Sequence, residues 1–228
     1  MRPPLPASDR DTSHLDVEDA QVLAGARALS VPVPLYEPVL NLTLGARRSE
    51  RAGGHVRLER AVDVVAPLLT AKSEWVAADG YIEKQTSVPS AGGRHPLTAL
   101  VLSKTEESRH DAWAISPSTA PRRYQVTGHR IEVRTVLRAT TDALRLPGEP
   151  ESLIVLLARF RRTLSKYPDG ETLVWRDSGV FLGSAHLIAT NLGLRSCIAG
   201  IAETTQFALD GSTDVLVDVG AILLSEKE

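Results

Sequence analysis

A lysine and a tyrosine stand side by side at Lys166 and Tyr167, directly after a segment rich in arginine. Burial lowers the pKa of a lysine, and a nearby cation lowers that of either residue type, from usual values of about 10. Arg161 and Arg162 offer such cations. The pair is therefore a candidate for general base catalysis, although composition alone favours a charged surface turn.

A glycine-rich octapeptide at Pro89–Pro96 reads Pro-Ser-Ala-Gly-Gly-Arg-His-Pro and precedes the apolar segment Leu97–Leu102. Gly92 and Gly93 permit backbone conformations that residues with a Cβ resist, and they let main-chain N–H groups approach a flat ligand. The prolines stiffen both ends of the segment. A ligand-binding loop is one interpretation, and an ordinary turn before a strand is the other.

A cluster of cations lies upstream, in the run Ala46-Arg47-Arg48-Ser49-Glu50-Arg51. Guanidinium groups bind phosphate in a bidentate manner, and a neighbouring hydroxyl adds a further donor. The cluster thus predicts a phosphate site, whereas a solvated basic turn is the plainer alternative.

A long apolar segment, Val180–Leu192, predicts a buried central helix downstream. Asp177 or Ser178 is a suitable N-cap residue, and Gly193 suits the position just past the end of the helix. A strand through Ser196–Gly200 should follow.

In this order and spacing, the segments resemble the flavoproteins of the nitroreductase superfamily, and among its branches the SagB-type, or azoline, dehydrogenases. The resemblance covers about residues 40 to 224. It implies an α+β fold of a single domain, with a central mixed or antiparallel sheet flanked by helices. It also implies FMN as cofactor and a homodimer with the flavin buried between subunits.

The resemblance also assigns roles to individual residues. The phosphate of FMN would be held by Arg47, Arg48, Ser49 and Arg51. The flavin loop would supply Pro89, Ser90, Ala91, Gly92 and Gly93, and the strand after the long helix would add Ser196, Cys197, Ala199 and Gly200. Lys166 and Tyr167 match the catalytic pair of the azoline dehydrogenases.

In that branch the reaction oxidises a peptide thiazoline or oxazoline to the azole, with loss of a ring proton and hydride transfer to the flavin. The implied partners are a modified precursor peptide and a cyclodehydratase or another peptide-modifying enzyme. Two alternatives stay open: a generic NAD(P)H-dependent nitro or enone reductase, and a non-catalytic scaffold subunit of a peptide-modifying complex.

The chain departs from the family pattern in three places. Residues 168–171 lack the common glycine- and arginine-rich form, His186 replaces an asparagine-containing pattern, and the segment after Gly220, which has only Lys227, lacks the basic residue that many nitroreductases place near the end for the phosphate. These departures bear on substrate geometry and flavin affinity. If Lys166 and Tyr167 are not the base, His95 and His186 are the next candidates.

Composition excludes several classes of protein. Hydrophobic residues make up 43% and charged residues 24%, as in ordinary globular proteins, and the net charge of −2 gives no case for nucleic-acid or membrane binding. The single cysteine, Cys197, excludes an intrachain disulfide and a multi-cysteine metal site, and favours a reducing cytoplasm. The histidines lack metal-ligand spacing, so no metal is expected.

The remaining pattern predicts an N-terminal tail and helix over residues 1–35 and an FMN-binding domain over 36–228. Within these, helices are expected at about 14–29 and at Val62–Ala71, the latter disturbed by Pro67. Short segments predict strands at Thr98–Leu102, Ala112–Ile115, Arg123–Val126, Ile131–Thr135 and Val215–Leu224. The apolar segment Leu153–Phe160 fits a central strand, and periodicity alone leaves a helix open there.

Overall fold

The computed structural model describes residues 28–30, 40–51, 54–107, 109–208 and 214–227. Its helices are α1 (Leu40–Ala46), α2 (Leu58–Leu69), α3 (Arg130–Leu144), α4 (Phe160–Leu164) and α5 (Glu171–Asn191). Its strands are β1 (Ala28–Ser30), β2 (Ala71–Val76), β3 (Ile82–Thr86), β4 (Leu97–Lys104), β5 (His110–Ile115), β6 (Arg122–Val126), β7 (Ser152–Ala158), β8 (Arg195–Ala199), β9 (Gln206–Ala208) and β10 (Val215–Ser225).

An antiparallel sheet forms the centre of the fold, with the strand order β1-β6-β5-β4-β7-β10-β8. Strand β10 is long enough to pair with both β8 and β9 along one side. Strands β2 and β3 form a separate hairpin. This architecture confirms the α+β prediction with an antiparallel sheet and surrounding helices.

Helices cover both faces of the sheet. On one face, α2 and α5 pack over alternate residues of the central strands, such as Leu156 of β7 and Ile222 of β10. On the other face, α3 packs over the intervening residues, such as Val155 and Leu223. Strands β4 and β7 are buried along nearly their whole length because both of their faces are covered.

A glycine in β10 allows α5 to approach the sheet closely. Gly220 has φ of +143°, and it lies where the pairing of β10 with β7 shifts register. A Cβ at this position would stand 2.6 Å from the Leu182 Cδ1 atom of α5. The absence of a Cβ at this position therefore lets α5, the helix that carries much of the candidate site, pack closely against β10.

Most sequence predictions of strands are confirmed to within a few residues, including the buried strand at β7 and the last strand at β10. The predicted helix at Val62–Ala71 is observed as α2, which begins four residues earlier and contains Pro67. Residues 14–27 of the predicted helix at 14–29 lie outside the described part of the chain. The last two residues of that prediction, 28 and 29, are observed in strand β1. The domain boundary at 35/36 also lies outside the described part.

The prediction of a strand at Ile131–Thr135 is wrong, because this segment lies in α3. In a strand, Ile131 and Val133 would lie on the same face, but Ile131 is 79% exposed whereas Val133 is buried. The buried apolar residues recur at helical spacing: Val133, Val136, Leu137 and Leu144.

The N-cap prediction for the long helix is also wrong. Helix α5 begins at Glu171, so Asp177 and Ser178 lie inside it and use their side chains for tertiary contacts. Its end agrees with the prediction, since Gly193 has φ of +73° and donates its N–H to the Thr190 carbonyl. The expectation of an all-round buried helix is only partly met, because Val180 on the outer side is 45% exposed.

Candidate functional site

The glycine-rich loop adopts a conformation that its sequence anticipates. Gly92 and Gly93 have φ of +59° and +67°, and His95 also has a positive φ of 42°. Residues Ala91–Gly93 form a short 3-10 turn. Positive φ is accessible to glycine without steric cost, so this path depends on the Gly-Gly pair.

A buried carboxylate anchors the loop to α5. Ser90 Oγ donates a hydrogen bond of 2.6 Å to Asp177 Oδ2, and the Ala91 N–H points to the same carboxylate at 3.3 Å. Ser90 Oγ in turn accepts the His95 N–H at 2.9 Å. Burial raises the pKa of Asp177, and the hydrogen bonds from Ser90 and Ala91 partly offset this rise.

Lys166 and Tyr167 pack directly against the loop. A Cβ at Gly92 would stand 2.8 Å from the Tyr167 hydroxyl and 3.0 Å from Lys166 Nζ. Lys166 Nζ also lies 3.3 Å from the Gly92 carbonyl oxygen. The structure therefore brings the candidate catalytic pair and the candidate flavin loop into contact, although more than 70 residues separate them in sequence.

An acidic residue from hairpin β2–β3 completes this group. Glu83 accepts a hydrogen bond from Lys166 Nζ at 2.7 Å, and its other oxygen accepts the Trp75 indole N–H at 3.0 Å. The hydrogen bond from Lys166 is the main cause that lowers the pKa of Glu83. Glu83 is only 8% exposed, and burial acts to raise its pKa, so the hydrogen bonds from Lys166 and Trp75 are what keep it a carboxylate.

The same hairpin is joined to the loop by further contacts. The Arg94 guanidinium forms an ion pair with Asp79 and lies 4.3 Å from the centroid of the Tyr81 ring. The Tyr81 hydroxyl donates to the Arg94 carbonyl at 2.8 Å, and His95 Nε2 donates to the Lys84 carbonyl at 2.7 Å. Burial lowers the pKa of His95, so the ring is neutral and its contact with the hairpin is that of a hydrogen-bond donor.

The arginine cluster forms a second group, at the other end of α5. Arg47 Nη1 donates to His186 Nε2 at 3.1 Å, so this nitrogen must accept, and His186 Nδ1–H donates to Ser196 Oγ at 2.5 Å. Burial, and secondarily the charge of Arg47, lowers the pKa of His186. The neutral imidazole thus positions one cation of the cluster relative to β8.

The remaining members of the cluster face the surface. Arg48 donates to the carbonyls of Gly45 and Arg47, Ser49 pairs with Ser196 through a parallel bridge, and Arg51 is exposed. The adjacent acid, Glu50, is engaged by Arg195 at 3.2 Å. The cluster therefore keeps exposed guanidinium groups and a hydroxyl, the donor set that a phosphate requires.

The two groups lie on one helix but apart from each other. Asp177 and His186 are nine positions apart on α5, which corresponds to about 14 Å along the helix axis. On β8, Ser196 joins the arginine group, whereas the side chains of Cys197 and Ala199 are buried in the core on the α3 face. Gly200 is exposed at the end of the strand.

Sequence reasoning missed Glu83, Trp75 and the anchoring role of Asp177. Glu83 lies in a polar hairpin without a motif, and only the approach of the hairpin to the loop makes it part of the site. Asp177 was assigned to helix capping because it precedes the apolar segment.

Within the described ranges, histidine, cysteine and acidic residues form no group that could hold a metal ion. None of the helices in that part of the chain is long and apolar enough to span a membrane.

No known family model matches the chain, and no curated protein matches it either. Among solved structures, the fold is similar to that of a candidate nitroreductase from Ralstonia eutropha, with a TM-score of 0.62 at 16% identity over 93% of this chain and 92% of that one. It is also similar to a chain of the E. coli microcin synthetase McbBCD complex, solved with truncated pro-MccB17 bound. Here the TM-score is 0.52 at 14% identity, over 100% of this chain and 84% of that one.

A candidate nitroreductase from Anabaena variabilis gives a TM-score of 0.51 at 16% identity, over 92% of this chain and 44% of that one. At such identities the likeness shows the fold, which is nitroreductase-like.

Proposed function

We propose that this protein is an FMN-dependent oxidoreductase that oxidises peptide azolines to azoles. The observation that carries the proposal is the packing of Lys166 and Tyr167 against Gly92, at the centre of the glycine-rich loop. The contact supports a site in which a flat cofactor and a proton-transfer pair meet. The nitroreductase-like fold supports the flavin assignment.

The residues present fit FMN. The phosphate would be held by the exposed donors Arg47, Arg48, Ser49 and Arg51, with His186 fixing the direction of Arg47. The flavin ring would contact the loop residues Pro89, Ser90, Ala91, Gly92 and Gly93 and the main chain of β8 near Ser196, Cys197, Ala199 and Gly200. When bound, FMN supplies a two-electron acceptor.

The chain's own residues then handle the proton. Lys166 offers an amine at the loop, held by Glu83, and the Tyr167 hydroxyl lies at the same glycine. A proton removed from the azoline ring carbon would be accepted within this pair. The loop itself is held in place by the Asp177 carboxylate, so the pair and the flavin surface keep a fixed relation.

A peptide is the proposed substrate, and a peptide-modifying enzyme such as a cyclodehydratase is the proposed partner. The similarity to a chain of the McbBCD complex, which was solved with a truncated pro-peptide bound, supports this choice over a small-molecule reductase. Oxidation of an azoline-containing peptide by the purified protein is the measurement that tests this choice.

We further propose a homodimer in which the arginine cluster of one subunit and the glycine-rich loop of the other share a flavin. The nitroreductase-like fold supports this arrangement, because the family resemblance implies a flavin buried between subunits. Exposed apolar side chains at Val180 of α5 and Ile198 of β8 offer surface that a second subunit would cover. Light scattering that gives a monomer mass while FMN stays bound would contradict the dimer.

The catalytic test compares wild type with Lys166→Ala and Tyr167→Phe. All three proteins should bind FMN and be yellow, because neither residue lies in the arginine cluster. With an azoline-containing peptide and dioxygen as acceptor, each variant should turn over about 10²–10⁴-fold more slowly, the usual contribution of general base catalysis. Wild-type rates in both variants would remove the pair from the mechanism.

Two further outcomes separate the alternatives. Rapid reduction of bound FMN by NADPH in stopped flow, without azoline oxidation, identifies a nitro or enone reductase. A colourless protein that does not take up added FMN identifies a non-catalytic scaffold subunit.

A further inference from the structure

We infer that Glu83 is a positioning residue for Lys166, which holds the amine as an ammonium group directed at the Gly92 carbonyl. The inference deepens the proposed function and rests on it only for the role of Lys166 in turnover. The ion pair itself is a property of the chain.

The geometry of Glu83 is that of a fixed partner. Its Oε1 atom lies 2.7 Å from Lys166 Nζ, and its Oε2 atom accepts the Trp75 indole N–H at 3.0 Å. The carboxylate side chain is 11% exposed and the lysine side chain 34%, so solvent screens the pair mainly on the lysine side. Both carboxylate oxygens are engaged, which leaves Glu83 little rotational freedom.

The position of Lys166 follows from these contacts. Its ammonium group is held between Glu83 Oε1 and the Gly92 carbonyl, at 2.7 and 3.3 Å. A carboxylate partner stabilises the charged form of an amine. Removal of the Glu83 carboxylate in a variant should therefore let the Lys166 ammonium group release its proton more readily.

The other charged and titratable groups near the pair come from neighbouring elements. Arg94, on the loop, also lowers the pKa of Glu83 through its charge, and Tyr167 presents its ring centroid 5.9 Å from Lys166 Nζ. These groups stay unchanged when Glu83 is replaced. A change in the behaviour of Lys166 in a Glu83 variant therefore reports on the ion pair.

The test measures the reactivity of the Lys166 amine in the full chain without added cofactor. Trace acylation with acetic anhydride at a series of pH values, followed by mass spectrometry of the peptide that contains Lys166, reports the fraction of neutral amine. In Glu83→Gln, which keeps the shape of the side chain but removes its charge, reactivity at pH 8 should rise about threefold to tenfold. Glu83→Asp keeps the charge and should restore part of the wild-type value.

The hairpin offers a matched control in Glu74, which also pairs with a lysine, Lys84, at 3.5 Å. Glu74→Gln should leave the Lys166 reactivity unchanged. Equal Lys166 reactivity in wild type and Glu83→Gln, with both proteins folded by circular dichroism, would overturn the inference.

Turnover provides the second readout. If the protein oxidises azolines, the pH–rate profile of Glu83→Gln should move to lower pH, whereas a merely structural role would lower the rate at all pH values alike. Altered labelling in a protein that lacks azoline oxidation would refute the proposed function and leave the positioning role intact. If wild type oxidises azolines but Lys166 is labelled equally in wild type and Glu83→Gln, the positioning role is refuted and the proposed function stands.

Discussion

Ser90 and Asp177 are joined by a hydrogen bond of 2.6 Å that attaches the glycine-rich loop to the second turn of α5. The Asp177 carboxylate is buried and also faces the Ala91 N–H, so it organises the first part of the loop. The same helix carries His186, which holds Arg47. Helix α5 therefore holds both the glycine-rich loop and the arginine cluster of one chain in place.

Replacement of Asp177 by alanine should release the loop from α5. Hydrogen bonds to charged groups contribute about 1.5–3 kcal/mol, so the free energy of unfolding in urea should fall by about that amount. Ser90→Ala should have a similar effect, and the double variant should be destabilised by less than the sum of the two single changes. Strict additivity would show that the two side chains act independently.

Replacement of Gly92 by alanine should displace the catalytic pair. The new Cβ would overlap the Tyr167 hydroxyl and the Lys166 side chain, at distances under 3 Å for the nearest atoms, and would add strain at φ of +59°. Gly128→Ala is the matched control, since it has φ of +88° and a Cβ added there would meet no atom within 4 Å. Both variants should lose stability from backbone strain, but only Gly92→Ala should lose azoline oxidation.

Replacement of Arg47 by alanine should weaken FMN binding by roughly tenfold or more, because a charge-assisted hydrogen bond contributes about 1.5–3 kcal/mol. A flavin fluorescence titration measures the change. Arg122→Ala removes an exposed arginine from β6, outside the cluster, and should bind FMN as wild type does. Unchanged affinity in Arg47→Ala would remove this arginine from the phosphate site.

Acid should destabilise the protein through His186. Its pKa in the folded protein is lowered, so below the usual histidine value of about 6.5 the unfolded chain takes up a proton that the native state resists. The contribution of His186 to stability is present above that pH and is lost as the pH falls. His186→Asn should reduce the dependence of the free energy of unfolding in urea on pH below about pH 6.5.

The slope should not vanish in that variant, because the pKa of buried His95 is lowered in the same direction. A wild-type slope in His186→Asn would show that the imidazole titrates normally in the folded state.

The sequence alone was enough to predict an α+β fold with helices around an antiparallel or mixed sheet, and it indicated the segments from which the candidate site is built. Buried strands such as β7 are continuous apolar segments, so they can be predicted from the sequence. A Gly-Gly pair such as Gly92-Gly93 likewise predicts a loop with positive φ, because few other residues adopt that conformation. The strand predicted at Ile131–Thr135 failed because so short a segment of mixed polarity fits either period, and packing of α3 against the sheet decided between them.

Only the tertiary structure determined which groups meet. Glu83, Gly92 and Lys166 come from a hairpin, a loop and a segment between helices, and no spacing in the sequence links them. The sequence predicts Asp177 as a helix cap. Because α5 begins at Glu171, Asp177 instead lies inside the helix, on the face that meets the loop. Local patterns in a sequence indicate backbone conformation and burial, because both depend mainly on neighbouring residues. The partner of a buried charged group depends on how elements that are distant in sequence pack against each other.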